Sequence, residues 1–312
     1  MSCPPPPRRT FGTHLGSLAG IAGLAFACGS APPQAVSPTA GVSAEHPSVA
    51  ANGGASLDAL REQLRSGLGG ASELNLAARG LGPALGPLLA TSPTVAQLAS
   101  LDLSDNELGP GGVQALADSP HLRRLRELDL GGNDILDQGA ETIARSGACP
   151  DLEILNLSGN SITERSVPEL VGGRFLRLTS LDLSMNEIGG AGAAALAGSK
   201  VVLESLYLLG CEIGSEGARA LAQSTRLGKL EVLALTGNAI GDEGAQLLAK
   251  SSAFASLETL DLCANAITDT GALALAQSAR FKKLKVIELF GNEIGSRGTA
   301  ALRKRFGKGL HL

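Results

Sequence analysis

From Ala71 to Leu312 the apolar positions come in blocks of two alternating kinds. The stretch "LEVLALTGNAI" sets Leu230, Leu233, Leu235 and Ile240 around Asn238, and "GDEGAQLLAK" follows with Ala245, Leu248 and Ala249. The first block alternates at Leu233 and Leu235, the period of a short strand with one face turned inward. The second has helical spacing. Twenty-seven residues further on, "LETLDLCANAITDTGALALAQ" repeats the same pair of blocks.

The template L-x-x-L-x-L-x-x-N-x-I/L places its asparagine position at Asn106, Asn133, Asn160, Asn186, Cys211, Asn238, Asn265 and Asn292, at spacings of 25 to 27 residues. A degraded first copy, "ASELNLAARGL", has Arg79 there. Such a period predicts a solenoid of nine units, each too thin to bury its own apolar face and therefore stacked on its neighbours. The strands are expected to form a parallel sheet, and the wider helices to make the strand side concave. The asparagine amide is expected to satisfy backbone groups left over where strand turns into helix, repeat after repeat. Cys211 substitutes once. Gly241 supplies the turn, and Asp242 is expected to be the N-cap of the following helix.

These residues resemble the ribonuclease-inhibitor-like class of leucine-rich repeats, through the LxxLxLxxN/CxL strand segment and a GxxGxxxLA helix segment ("IGSEGARALA", "LGPGGVQALA"). The resemblance covers about Ala71 to Leu312. It implies an α/β horseshoe, parallel strands inside and helices outside, that binds a protein or peptide on its concave face. It also raises two alternatives, a GTPase-activating protein of this repeat type and a cytosolic interaction scaffold.

The ends differ from the repeats. Residues 56–70, "SLDALREQLRSGLGG", put Leu57, Leu60, Leu64 and Leu68 on one helical face behind Ser56, which predicts an N-terminal capping helix. The C-terminal "SRGTAALRKRFGKGLHL" predicts a last helix and one more strand-like fragment, with a basic group read as a solvated cap. Residues 1–27 hold Arg8 and Arg9, then an apolar run too short to span a bilayer, the form of a signal peptide. "LAFAC" resembles a bacterial lipobox, which implies lipidation of Cys28, a membrane anchor and a place in the bacterial cell envelope, at the outer membrane rather than the inner. Secreted and cytoplasmic placements are the alternatives. Residues 28–55, rich in Pro, Ala, Ser and Gly, read as a disordered linker between anchor and repeats.

Composition narrows the chemistry. There is no Trp, one Tyr and seven Phe against 44% apolar residues, which suits thin layers of Leu, Ile, Val and Ala. A net charge of −4 disfavours nucleic acid as a partner. The sequence holds no GxSxG, HExxH or CxxC and no phosphate-binding GxxxxGK[ST], so no catalytic residue, cofactor, metal or small-molecule substrate is expected.

The position between the two strand leucines should face the concave side. It carries Asp102, Asp129, Asp182, Tyr207, Asp261 and Glu288, with Leu209 and Phe290 two residues past Tyr207 and Glu288. These carboxylates form either a contact surface for a basic protein or merely soluble filling. Tyr207 and Phe290, expected to be exposed, are its candidate anchors.

Overall fold

The computed structural model describes Ser48–Ala50 and Ser56–Leu312. Residues 1–27, Cys28 and the rest of the expected linker lie outside the described residues. Within them the order is β1 (Ser48–Ala50), α1 (Leu57–Ser66), β2 (Glu73–Asn75), α2 (Leu85–Ala90), β3 (Ser100–Asp102), α3 (Gly109–Ala117), β4 (Glu127–Asp129), α4 (Leu136–Arg145), β5 (Ile154–Asn156) and α5 (Val167–Gly172). It continues with β6 (Ser180–Asp182), α6 (Gly189–Ala197), β7 (Ser205–Tyr207), α7 (Gly214–Ala222), β8 (Val232–Ala234), α8 (Gly241–Lys250), β9 (Thr259–Asp261), α9 (Asp269–Gln277), β10 (Val286–Glu288), α10 (Ser296–Phe306) and β11 (Leu310–His311).

The eleven strands form one parallel sheet in strict chain order. Strands β2 to β10 are the nine expected repeats, and β11 is the expected terminal fragment. Residues expected to be linker supply β1, which pairs Ser48–Ala50 with Glu73–Asn75. This corrects the 28–55 linker over those three residues. The unpaired backbone at the edge of β2 gives the physical reason, because it offers a ladder to the chain just ahead of α1.

Leu74, Leu101, Leu128, Leu155, Leu181, Leu206, Leu233 and Leu260 stand in register across the sheet and are buried. Each contributes about 1.5–3 kcal/mol by leaving water. The helices close the layer with residues such as Ala245, Leu248 and Ala249, all buried. Gly86 is why α2 and α3 approach so closely, since a Cβ there would meet the Gly112 carbonyl oxygen at 2.1 Å. At the N-terminal end Ser56 caps α1, accepting the Ala59 N–H at 3.2 Å, and Leu60, Leu64 and Leu68 are buried beneath it.

The asparagines form the expected ladder. Asn133 Oδ1 accepts the N–H groups of Asn106 (3.1 Å) and Leu108 (3.2 Å) in the preceding repeat. Its Nδ2 donates to the carbonyls of Leu103 (2.9 Å), Leu130 (3.0 Å) and Gly131 (3.0 Å). One side chain thereby serves two repeats. At Cys211 the ladder thins: its N–H donates to Asn238 Oδ1 at 3.0 Å, but only the thiol faces back, donating to Leu183 O at 3.1 Å.

The expected N-cap role of Asp242 is corrected. The cap position of α8 is Ile240, without a side-chain cap, and Asp242 lies inside the first turn. Its carboxylate points to the next repeat, accepting from Thr268 N (2.8 Å), Thr268 Oγ1 (2.6 Å) and Gly271 N (2.8 Å). Asp137 does the same to Thr163 N (2.8 Å), Thr163 Oγ1 (2.7 Å) and Ser166 Oγ (2.9 Å), and Asp269 to Gly298 N (2.8 Å). The reason is geometric: stacking brings the next helix start closer to this carboxylate than its own.

Candidate functional site

The residues between the strand leucines form one column along the strand face. In register it runs Asn75, Asp102, Asp129, Asn156, Asp182, Tyr207, Ala234, Asp261, Glu288, His311. Steps of about 4.8 Å separate successive members. Tyr207 and Ala234 therefore divide the carboxylates into an N-terminal group ending at Asp182 and a C-terminal pair, Asp261 and Glu288.

Most of these aspartates have structural work. Each short side chain folds back on the backbone two residues ahead, the Asx turn that ends a strand. Asp102 Oδ1 accepts from Ser104 N (3.0 Å) and Oγ (2.7 Å), Asp129 Oδ1 from Gly131 N (2.8 Å), Asp182 Oδ1 from Ser184 N (2.8 Å) and Asp261 Oδ1 from Cys263 N (2.9 Å). In the first two the second oxygen is engaged as well: Asn75 Nδ2 donates to Asp102 at 2.8 Å and Asn156 Nδ2 to Asp129 at 2.9 Å. In Asp182 the Ser184 side chain bonds the carboxylate as well.

The electrostatics are one-sided. Some acids elsewhere are paired across repeats, as in Arg177–Asp151 (3.2 Å), Arg126–Glu153 (3.4 Å) and Lys285–Glu258 (2.5 Å). Among the described residues no Lys or Arg forms an ion pair with Asp102, Asp129, Asp182 or Asp261. Burial pushes the Asp129 carboxyl above its ordinary value, against hydrogen bonds from Gly131 and Asn156, with Asp102 and Asp105 adding to the rise. Burial likewise raises Asp182. It raises Glu288 too, helped by the charge of Asp261 and opposed by His311.

The apolar residues depart from expectation in one place. Tyr207 is buried, only 7% exposed, which corrects its reading as an exposed anchor. Its strand neighbours are Asp182 and the small Ala234, and its hydroxyl bonds to the Ser205 side chain, so the ring packs within the face. Leu209 is half-buried and Phe290 is 38% exposed. Val232 flanks Ala234 on β8 and is half-buried.

Two residues near the C-terminal pair had not been singled out as functional. Cys263, buried, places Sγ so that it and one oxygen each of Asp261 and Glu288 lie within 4.8 Å of one another. His311 Nδ1 is 3.6 Å from Glu288 Oε1. Carrying the repeat template through Leu310 to the terminus puts His311 in the column. The other two thiols among the described residues are inert by environment: burial pushes Cys149 and Cys211 up to about 12.

A leucine-rich repeat family model matches residues 98–117, 121–144, 178–197, 201–222, 229–249 and 255–276, and a second one matches 151–172. Among solved structures, the internalin InlF from Listeria monocytogenes is 20% identical, over 80% of this chain and 68% of that one, with a TM-score of 0.48. Yeast Rad7, in a complex with Elc1, gives 18%, 74%, 70% and 0.45 for the same quantities. The Arabidopsis receptor kinase HAESA ectodomain, in complex with an N-terminal extended IDA peptide hormone ligand, gives 21%, 70%, 34% and 0.42. No curated protein matches the chain. Among the described residues no helix is long and apolar enough to cross a membrane.

Proposed function

Given that this chain is a leucine-rich repeat solenoid, we propose that it is a non-enzymatic scaffold whose strand face binds a basic protein or peptide segment. The observation that carries the reading is the row of partly desolvated carboxylates with no internal cation. A carboxyl whose proton affinity is raised by burial gains most from a positive group brought against it. A Lys- or Arg-bearing segment laid along the column would supply that charge to Asp182 and would reach Asp261 in the same column, neither of which has a Lys or Arg ion pair among the described residues. Leu209 and Phe290 would contribute apolar contact on either side of the buried Tyr207.

The same proposal places the scaffold at a bacterial envelope, through a lipid on Cys28. Support comes from the leader sequence: the basic start, the short apolar run and "LAFAC". Such an anchor on a Pro- and Ala-rich tether would present the repeats at a membrane surface, the outer membrane by preference.

Two experiments test the two halves. Binding of a Lys-rich peptide, measured in EDTA across a salt series, should weaken at least tenfold and lose salt dependence in Asp182→Asn/Asp261→Asn, which keeps both Asx turns. Unchanged affinity moves binding off this face. Labelling of growing bacteria with a palmitate analogue should mark the native chain and not Cys28→Ala. Absence of label on the native chain removes the anchor.

A further inference from the structure

The C-terminal end of the strand face gathers ligand types found together nowhere else among the described residues. Cys263 Sγ and a carboxylate oxygen from each of Asp261 and Glu288 lie within 4.8 Å of one another. Asp261 and Glu288 are partners across β9 and β10, Cys263 follows Asp261 by two residues, and His311 is the partner of Glu288 on β11. The imidazole Nδ1 is 3.6 Å from Glu288 Oε1.

Cys263 and Glu288 depart from what the array does at their positions. The place of Cys263 is filled by Ser104, Ser158, Ser184 and Thr236 in other repeats. Asp102 and Asp129, the other adjacent acidic pair, engage both oxygens in hydrogen bonds. Asp261 accepts from the Cys263 N–H. Glu288 is one methylene too long for the aspartate turn, and its polar partner is His311. Two carboxylates, a thiol and an imidazole thus coincide where Cys263, Glu288 and His311 replace the residues usual in the repeat.

We propose that Asp261, Cys263 and Glu288, completed by His311, form a binding site for a zinc-class divalent ion. Thiolate, imidazole and carboxylate together are a zinc donor set, whereas Ca²⁺ and Mg²⁺ take oxygen ligands. Bonds of about 2.0–2.3 Å in a tetrahedron put ligand atoms roughly 3.3–3.8 Å apart. The three atoms now within 4.8 Å close by about 1 Å, which rotation of the long Glu288 side chain supplies, and the exposed His311 turns in as the fourth ligand. On binding, the Cys263 S–H bond is replaced by a sulfur–metal bond and its proton goes to solvent. The ion would tie β9, β10 and β11 together and seal the last repeat against the terminal strand. The site stands whether or not a partner docks on the face.

The test uses the full chain with Co²⁺ as a spectroscopic stand-in and Zn²⁺ for affinity. One equivalent of Co²⁺ should produce a near-ultraviolet thiolate-to-metal charge-transfer band. Cys263→Ser should abolish that band and weaken Zn²⁺ binding at least tenfold, and Glu288→Gln should weaken it by a similar factor. Serine already fills this position in three other repeats, so an unchanged melting curve in EDTA will show that the variant folds. No cobalt band in the parent chain overturns the proposal. So does a band, or a Zn²⁺ affinity, that survives in Cys263→Ser, because Cys263 would then not be a ligand.

Discussion

Asp242 Oδ2 accepts the hydroxyl of Thr268 at 2.6 Å, across one full repeat, and Asp137 holds Thr163 in the same way at 2.7 Å. These pairs sort the turns of the array into two kinds. Where the preceding repeat carries aspartate four residues after its ladder asparagine, the turn residue is extended: Thr268 has ψ −171° and Gly295 ψ −173°. Where it carries Pro83, Pro110, Glu164, Gly190 or Ser215 instead, the turn residue is left-handed, as in Gly109, Leu136, Gly189, Gly214 and Gly241 with φ near +60°. An aspartate in one repeat thus selects the backbone conformation of the next.

The charge on Asp242 should therefore matter to stability in acid. Burial alone would raise its carboxyl, but the hydroxyl and N–H of Thr268 and the N–H of Gly271 outweigh it and hold it below 3.8. A carboxyl lowered in the folded state contributes stability that is complete above 3.8 and disappears as pH falls through the folded value. Asp242→Asn should cost about 1–2 kcal/mol at pH 7, the difference between charged and neutral hydrogen bonds. Urea melts at pH 7 and below pH 3 should show that cost shrinking in acid.

The turn rule predicts a coupling that no single variant reveals. Gly241→Thr places a β-branched residue at φ +61° and should destabilise by about 1–3 kcal/mol. Ser215→Asp alone should be nearly neutral. Combined, the new aspartate can hold the new threonine in the extended turn, and the double variant should recover at least 1 kcal/mol of the loss, read as a coupling energy in a double-mutant cycle. Strict additivity would mean that the aspartate follows the turn rather than selecting it.

The ladder makes a prediction of opposite signs. Asn238→Ala leaves the N–H groups of Cys211 and Ile213 and the carbonyl of Leu208 without their partner, while Leu235 O keeps Asn265 Nδ2. At about 1–3 kcal/mol for each buried group left unsatisfied, the loss should exceed roughly 3 kcal/mol. Cys211→Asn should do the reverse, restoring an amide that faces both ways and raising stability by about 1 kcal/mol. Thermal melts of the two variants beside the parent chain check both.

Asp182 should respond to pH in the sense opposite to Asp242. Its carboxyl is raised by burial above 3.8, so the folded chain holds that proton more tightly than the unfolded chain does. Stability from this group declines as pH rises from 3.8 through the folded value, and the penalty is complete above it. Asp182→Asn, whose oxygen can still accept the Ser184 N–H, should therefore be more stable than the parent at pH 7. The gain should vanish below pH 3.8, as measured by chemical denaturation across that range.

Much of this was legible from spacing alone, and the reasons are local. The positions of Leu233, Leu235 and Asn238 do the same thing in most repeats, so periodicity exposes them. What escaped depends on neighbours one repeat away. Asp242 has the composition of a helix cap, and only stacking shows that the helix it serves is the next one. Tyr207 occupies a position that is solvated in most repeats and is buried because Ala234 beside it is small. The concave aspartates were legible as a charged column, but not as turn-closing residues, because an Asx turn and a solvated acid share one sequence. Ser48–Ala50 carry no strand pattern and pair because β2 leaves an edge open.

In a stack where each layer rests only on the next, cohesion is set joint by joint. The joint between the repeats of Asn186 and Cys211 is the one where a thiol replaces an amide, and no aspartate-to-threonine tie crosses it. Under heat or mechanical load the side-chain ladder would therefore give way there first, between a longer N-terminal and a shorter C-terminal block. The shorter block would keep Asp261, Cys263 and Glu288 together after the rest of the face had come apart.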